Sequence, residues 1–218
     1  MSDAGTRGIG LRILVIDTAT QALSVALFEN DALLAHRHDI VGRGHAEALL
    51  PAIAALPEGG RADRIAVDVG PGSFTGVRIG VAAARALALA WDAPIAGYTA
   101  LSLVAAMAAE DGAQASIDVT ITGGHGELFW QSFAGDGRTA LTDPASTAIA
   151  QLAEQLTGDT VFGTGAEVLV TARSRGTAVT LYPDARSWQL IADLPALPPT
   201  PIYGRGADAQ PMAQASRP

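Results

Sequence analysis

The chain has 218 residues, 49% of them hydrophobic, and a formal net charge of −8; that length buries a substantial core in one large domain or two small lobes. It has no cysteine, and its fourteen basic residues are all arginine, which excludes disulfides, thiolate nucleophiles, thiolate-held zinc and a Schiff-base lysine. The negative charge repels a polyanion, so the chain is not expected to hold RNA by itself.

Residues 1–10 are polar, without the apolar core of a secretion signal, and read as a flexible tail. No apolar run looks long enough to cross a bilayer, and the missing cysteines suit a reducing compartment, so a soluble, cytoplasmic protein is expected. Residues 11–16 form an almost continuous apolar run ending at Asp17, the pattern of a buried strand. Runs at 23–28 and 32–36 follow after short polar turns, and three strands joined so tightly should be antiparallel neighbours.

Glycines at 42 and 44 break the chain. Residues 45–56 then place Leu49, Ala52, Ile53 and Leu56 on one helical stripe, with Pro51 expected to kink it. A β-branched run at 64–69 reads as a buried strand, and Gly70-Pro71-Gly72 forces a sharp turn. Ser73 or Thr75 can cap the helix that runs on to about Trp91. In that helix Gly76, Gly80, Ala84 and Ala88 recur every fourth residue, leaving one ridge nearly without side chains, while Arg78 and Arg85 share another face. The ridge admits two readings: another helix docks closely against it, or it packs only on the protein's own sheet. A strand at 94–98 and an alanine-rich helix from Thr99 to about Ala109 complete the half.

The order then begins again. Strands are expected at 115–122, 127–133 and, more weakly, 139–142, followed by a helix at 146–156, a strand at 160–162, a helix near 166–172 and a strand at 177–181. Strand, turn, strand, turn, strand, helix thus occurs twice. That is the layout of an α/β protein with two ribonuclease-H-like lobes, the actin, hexokinase and Hsp70 (ASKHA) superfold, with a shortened second lobe. The lobes are set at residues 11–111 and 112–193, with the boundary near Asp111 and Gly112. The proline-rich stretch 194–218 is read as an extended, weakly ordered tail.

The glycine turn at 70–72 could cradle a phosphate at a helix start, but a P-loop needs a lysine that this chain lacks. Working members of the superfold bind nucleotide at an acid-and-glycine turn in each lobe. Here the first turn offers Asp17, Thr18 and Thr20 without a glycine, and the second, Thr122-Gly123-Gly124-His125, offers glycines without an acid. Asp17, Thr18 and Thr20 are therefore read as a vestigial nucleotide turn, and Gly163-Thr164-Gly165 as a weak match to an adenosine-binding turn. No G-x-S-x-G elbow surrounds Ser24, Ser73 or Ser102. The four histidines, at 36, 38, 45 and 125, are too scattered along the chain for a closed zinc site without convergence of distant ligands. No catalytic residue and no metal ligand is assigned.

GPGSFTGVRIG at residues 70–80 resembles the signature of the bacterial TsaB (YeaZ) family, and Ile16-Asp17-Thr18-Ala19-Thr20 matches the family's first-strand motif. The likeness extends over about residues 11–135. It implies a non-catalytic, activating subunit of the complex that places a threonylcarbamoyl group on N6 of the adenosine beside the tRNA anticodon. In that complex TsaD is the transferase and holds the metal, TsaE is an ATPase, TsaC supplies the adenylate, and tRNA is met only through the assembly. No cofactor is expected on this chain, and ATP and metal are expected in the partner subunits. The resemblance favours docking of the two first-lobe helices on TsaD or on a second copy of the chain. Carried over by position, the interface would use Leu49, Ile53, Gly76, Arg78, Gly80, Val81, Ala84 and Arg85. The chain departs from the family where relatives often carry Asp-Ala-Arg and it carries Thr122-Gly123-Gly124-His125. An independent ATPase or kinase, or a peptidase, stands as the alternative.

Overall fold

The computed structural model describes residues 10–110, 112 and 115–202; the tails at 1–9 and 203–218 and the boundary residue Asp111 lie outside them. Strands β1 (Arg12–Asp17), β2 (Ala22–Glu29) and β3 (Ala32–Ile40) form an antiparallel meander. After helix α1 (His45–Ala54), strand β4 (Arg64–Asp68) returns parallel to β1. Helix α2 (Phe74–Trp91) leads to β5 (Ile95–Tyr98), parallel to β4, and α3 (Ala100–Glu110) closes the lobe. The sheet order is β3-β2-β1-β4-β5.

The second lobe repeats it. Strands β6 (Ser116–Thr122), β7 (Glu127–Ala134) and β8 (Ala145–Ala148) are antiparallel, helix α4 (Ile149–Gln155) follows, and β9 (Thr160–Phe162) lies parallel to β6. Helix α5 (Ala166–Arg173) leads to β10 (Thr177–Val179), parallel to β9, giving the order β10-β9-β6-β7-β8. Order and strand directions are the same in both halves, so the chain has the doubled ribonuclease-H-like ASKHA architecture.

Two-residue alternation in the first sheet sorts side chains between two layers. Leu14, Ile16, Val25 and Leu27 pack with Leu49 and Ile53 of α1 and Val77 and Val81 of α2. Ile13, Val15, Ala26 and Phe28 face the other way, toward Leu103 of α3 and Ala185 and Ile191 of a 3₁₀ segment at Ala185–Ile191. Helix α3 also contributes Leu101, Val104 and Ala108 to the core shared with Ile117 and Phe133 of the second sheet, so it joins the lobes.

Four expectations change. The third strand of the second lobe is β8, not residues 139–142. Asp136 accepts hydrogen bonds from the backbone N–H groups of Arg138 and Thr139 at 2.8 and 2.9 Å, and from the Thr139 hydroxyl at 2.7 Å. Across that turn the Ala134 N–H donates to the Thr139 carbonyl and the Leu141 N–H to the Ser132 carbonyl, each at 2.8 Å, but the pairing is limited to the single Phe133–Ala140 bridge and does not extend into a strand. The helix expected from residue 146 accordingly starts at Ile149. Helix α2, at 18 residues, is long and apolar enough to cross a membrane by length and composition, contrary to the reading of the sequence; here one side of it packs on β1 and β4.

The fourth change is at the end of the chain. Residues 194–202 are a strap laid along β5. Leu197 and Gly97 exchange both backbone hydrogen bonds, at 2.9 and 2.7 Å, and the Ile202 N–H donates to the Val69 carbonyl at 2.7 Å. Prolines at 195, 198, 199 and 201 remove the intervening donors, so the strap closes the exposed edge of β5 without offering a new one. Removing residues 194–218 should leave that edge open. Hydrogen exchange at the Gly97 amide should rise at least tenfold and the Tm should fall; unchanged protection of Gly97 would contradict the pairing.

Candidate functional site

The signature turn brings three structures to one point: the ends of β1 and β4 and the start of α2. Ser73 caps α2 by accepting from the Gly76 N–H at 3.2 Å, while its own N–H donates to the Ala19 carbonyl at 2.7 Å. The Thr18 hydroxyl donates to the Gly76 carbonyl at 2.8 Å. A methyl group on Gly76 would overlap the Thr18 carbonyl, and one on Gly80 would overlap Thr18 Oγ1. The bare ridge is therefore the seat of the protein's own first turn.

The interface residues named from the sequence divide here. Leu49, Ile53, Gly76, Gly80, Val81 and Ala84 are all buried within the isolated chain. The reason is geometric: glycine every fourth residue permits close approach to any backbone, and β1 and its turn already occupy that position. Arg78 is half-buried and Arg85 exposed. The outward faces of the two helices carry other residues, which the sequence reading passed over: Leu50 on α1 and Phe74 and Leu89 on α2, respectively 54%, 66% and 87% exposed. Alanines 46, 54, 82, 86 and 90 are exposed with them. Their signal was present in the same helical period, one face over. The Arg78 guanidinium stacks on the Phe74 ring, 3.1 Å from its centroid, and Arg85 donates to the Pro199 carbonyl at 3.1 Å and to Thr200 Oγ1 at 3.2 Å.

Asp17, Thr18 and Thr20 are 0%, 1% and 4% exposed and engaged with the protein itself. Thr20 Oγ1 accepts from the Ala22 N–H. Asp17 accepts from the Ala19 N–H at 3.3 Å and from the Tyr98 hydroxyl at 3.2 Å. One register step beyond the Ile16–Val67 pair, Asp68 ends β4 beside it; the sequence reading missed it, although an acid ends both parallel strands. Asp68 Oδ1 accepts from the N–H groups of Gly70 and Ala100 at 2.8 and 3.0 Å, and Oδ2 is buried without a partner. Burial pushes the Asp17 carboxyl up to about 7, with Asp184 adding to the rise and the Ala19 and Tyr98 donors opposing it. Burial and the neighbouring Asp17 raise Asp68 well above the usual carboxylate range. Each acid holds a turn, Asp17 its own and Asp68 the start of both the signature turn and α3.

The second-lobe turns are likewise filled from within. The Thr122 N–H donates to Thr164 Oγ1 and the Thr122 hydroxyl to the Thr164 carbonyl, both at 3.0 Å, and a methyl on Gly163 would overlap the Thr120 carbonyl. Gly163 and Gly165 thus let α5 approach β6. Ser24, buried, donates to Asp184 and accepts from the Ala185 N–H, tying β2 to the 3₁₀ segment. His45 is buried with Nε2 3.1 Å from the Ala22 carbonyl, and His38 Nδ1 lies 3.8 Å from Asp184. Among the described residues no three His, Asp or Glu side chains gather where they could hold a metal.

Comparison with known proteins places these features. The sequence model of the family described as "TsaD: tRNA N6-adenosine threonylcarbamoyltransferase" matches residues 39–178. The tRNA threonylcarbamoyladenosine biosynthesis protein TsaB of Escherichia coli is 36% identical over 131 residues, covering 58% of this chain and 56% of that protein. The chain belongs to the TsaB/YeaZ family. TsaB of Bacillus subtilis is 36% identical over 103 residues, 44% of each chain, so this chain matches about half the length of these TsaB relatives. An uncharacterized protein of Mycobacterium tuberculosis is 31% identical over 212 residues, 92% of this chain and 95% of its own length. A Pseudomonas aeruginosa crystal structure, described as similar to peptidase YEAZ, superposes with a TM-score of 0.74 at 25% identity. It covers 89% of this chain and all of that one.

Two outcomes check this TsaB-family site. Gly80→Ala forces Thr18 off the helix and should cost ~2–3 kcal/mol in urea unfolding; a loss below ~0.5 kcal/mol would show the ridge to be open. Because the folded state raises the Asp17 and Asp68 values, their contribution is greatest below about pH 4; that of Asp17 is lost as pH rises through about 7, and that of Asp68 falls in the same direction. Stability should therefore fall between those limits, and Asp68→Asn, which keeps the acceptor for Gly70 and Ala100, should flatten the fall and match or exceed the parent at pH 8. A parent chain more stable at pH 8 than at pH 5 would contradict this.

Proposed function

We propose that the chain is a non-catalytic, activating subunit of a tRNA N6-threonylcarbamoyladenosine synthesis complex, docking on a TsaD transferase through the outward faces of α1 and α2. The observation that carries the reading is the exposure of three large apolar side chains on the two adjoining helices, Leu50 on α1 and Phe74 and Leu89 on α2, with exposed alanines on the same helices. Large apolar side chains gathered on adjoining helices are a feature of interaction sites. Full burial of each contributes ~1.5–3 kcal/mol, and the exposed alanines let a second pair of helices approach to bundle distance. The TsaB names of the relatives and the transferase family model support the choice of partner.

Chemistry is assigned to the rest of the assembly. Asp17 and Asp68 are buried and committed to backbone N–H groups, which supports a structural role for the former nucleotide turn and leaves ATP and metal to the partner subunits, TsaE among them. With a net charge of −8, the chain meets tRNA through the complex. A second copy is the natural competitor for the same face when TsaD is absent.

The test is co-purification with the TsaD of the same genome. Leu89→Glu puts a charge on a side chain that makes little contact in the isolated chain, so the Tm should stay within about 2 °C, while affinity for TsaD should fall by at least tenfold. Undiminished binding of the Leu89→Glu chain, or a parent chain that does not bind TsaD, would overturn the proposal.

A further inference from the structure

The docking face leaves unused a cavity of about 520 Å³ on the other side of the first sheet, a size within the range of about 300–1,000 Å³ typical of small-ligand sites. It runs from the starts of β1 and β4 along β5 to Tyr98 and Thr99, where the Tyr98 hydroxyl donates to Asp17. Ile13, Ala66, Trp188, Ile191 and Leu194 give it apolar walls, and the strap forms its outer side. Thr99, Ser102 and Gln131 add neutral polar groups. The charged lining is Arg64 and Arg138, with no carboxylate, in a chain with eight more acids than bases.

The two arginines differ. Arg138 donates to the Leu190 carbonyl and to Asp193, each at 2.5 Å, so it fastens the segment leading into the strap. Arg64 has no hydrogen-bond or ion-pair partner among the described residues, and it borders an apolar wall that holds an indole. An uncommitted guanidinium beside an apolar, aromatic wall binds a ligand that brings both a ring and a negative charge. We propose that this cavity binds a small aromatic anion, its ring against Trp188 and Leu194 and its carboxylate, sulfonate or phosphate on Arg64. Among the described residues, the strap's hydrogen bonds to the sheet are made at Leu197 and Ile202 and those to α2 by Arg85, and Leu197 and Ile202 also pack against the core.

The probe is anilinonaphthalene sulfonate, with neutral phenylnaphthylamine as its uncharged counterpart, titrated into the full chain at pH 7 and followed by fluorescence. The sulfonate should bind saturably and one to one, and Arg64→Ala should weaken it about tenfold, the value of one charge-assisted contact, while leaving the neutral probe unchanged. Leu194→Asp, which sets a carboxylate into the wall, should weaken the sulfonate more than the neutral probe. Leu89→Glu, on the docking face, should bind both probes as the parent does. The inference is overturned if the sulfonate does not saturate, if Arg64→Ala weakens both probes alike or neither, or if Leu89→Glu abolishes binding. A parent chain that does not bind TsaD while it binds the sulfonate as described would count against the docking proposal alone.

Discussion

The close approach of α2 to the end of β1 is the constraint on which the rest of the structure depends. Gly76 and Gly80 lie so near Thr18 that no side chain fits between them, and the Thr18 hydroxyl bonds the helix backbone directly. That contact fixes the rotation of α2 about its axis. With the glycine face turned inward, Phe74, Ala82, Ala86 and Leu89 are turned out, and Arg78 and Arg85 are brought to the surface beside them. One packing decision thus sets the core and the outer surface together.

The same contact explains what became of the acids. In a two-lobed fold of this kind the ends of β1 and β4 face the cleft, where carboxylates and bare backbone suit a phosphate and its metal. Here the backbone at that position is covered by Ser73, Thr18 and Tyr98, and the acids serve as acceptors for the N–H groups of Ala19, Gly70 and Ala100. Burial then favours their protonated forms, so the arrangement works best when it carries little charge.

Much of the fold was legible because it rests on local rules. The apolar runs, the two-residue alternation and the glycine turn set nine of the ten strands within a few residues, and their repetition revealed the two lobes. The faces of α2 were not legible in the same way. A glycine every fourth residue says that something approaches closely, and only tertiary structure says whether that is a strand of the same chain or a helix of another. The third strand of the second lobe was misplaced because residues 139–141 pair with β7 at one bridge only, while residues 145–148 make the longer pairing with its other end. Residues 194–202 were read as a loose tail because prolines remove ladder donors, yet two N–H groups, from Leu197 and Ile202, are enough to seat them. Asp68 could have been found from its place at the end of a parallel strand, the same place that drew attention to Asp17.

The small-residue face of α2 is closed inside the chain, and Leu50, Phe74 and Leu89 are exposed on α1 and α2, the surface proposed to dock. Hydroxyl-radical footprinting of the chain alone and mixed with TsaD tests this arrangement most directly. The account predicts that Leu50, Phe74 and Leu89 react readily in the free chain and become protected on mixing, while Leu49, Ile53 and Val81 are protected throughout. Reaction at Leu49, Ile53 and Val81 in the free chain, or unaltered reaction at Leu50, Phe74 and Leu89 when TsaD is bound, would contradict it.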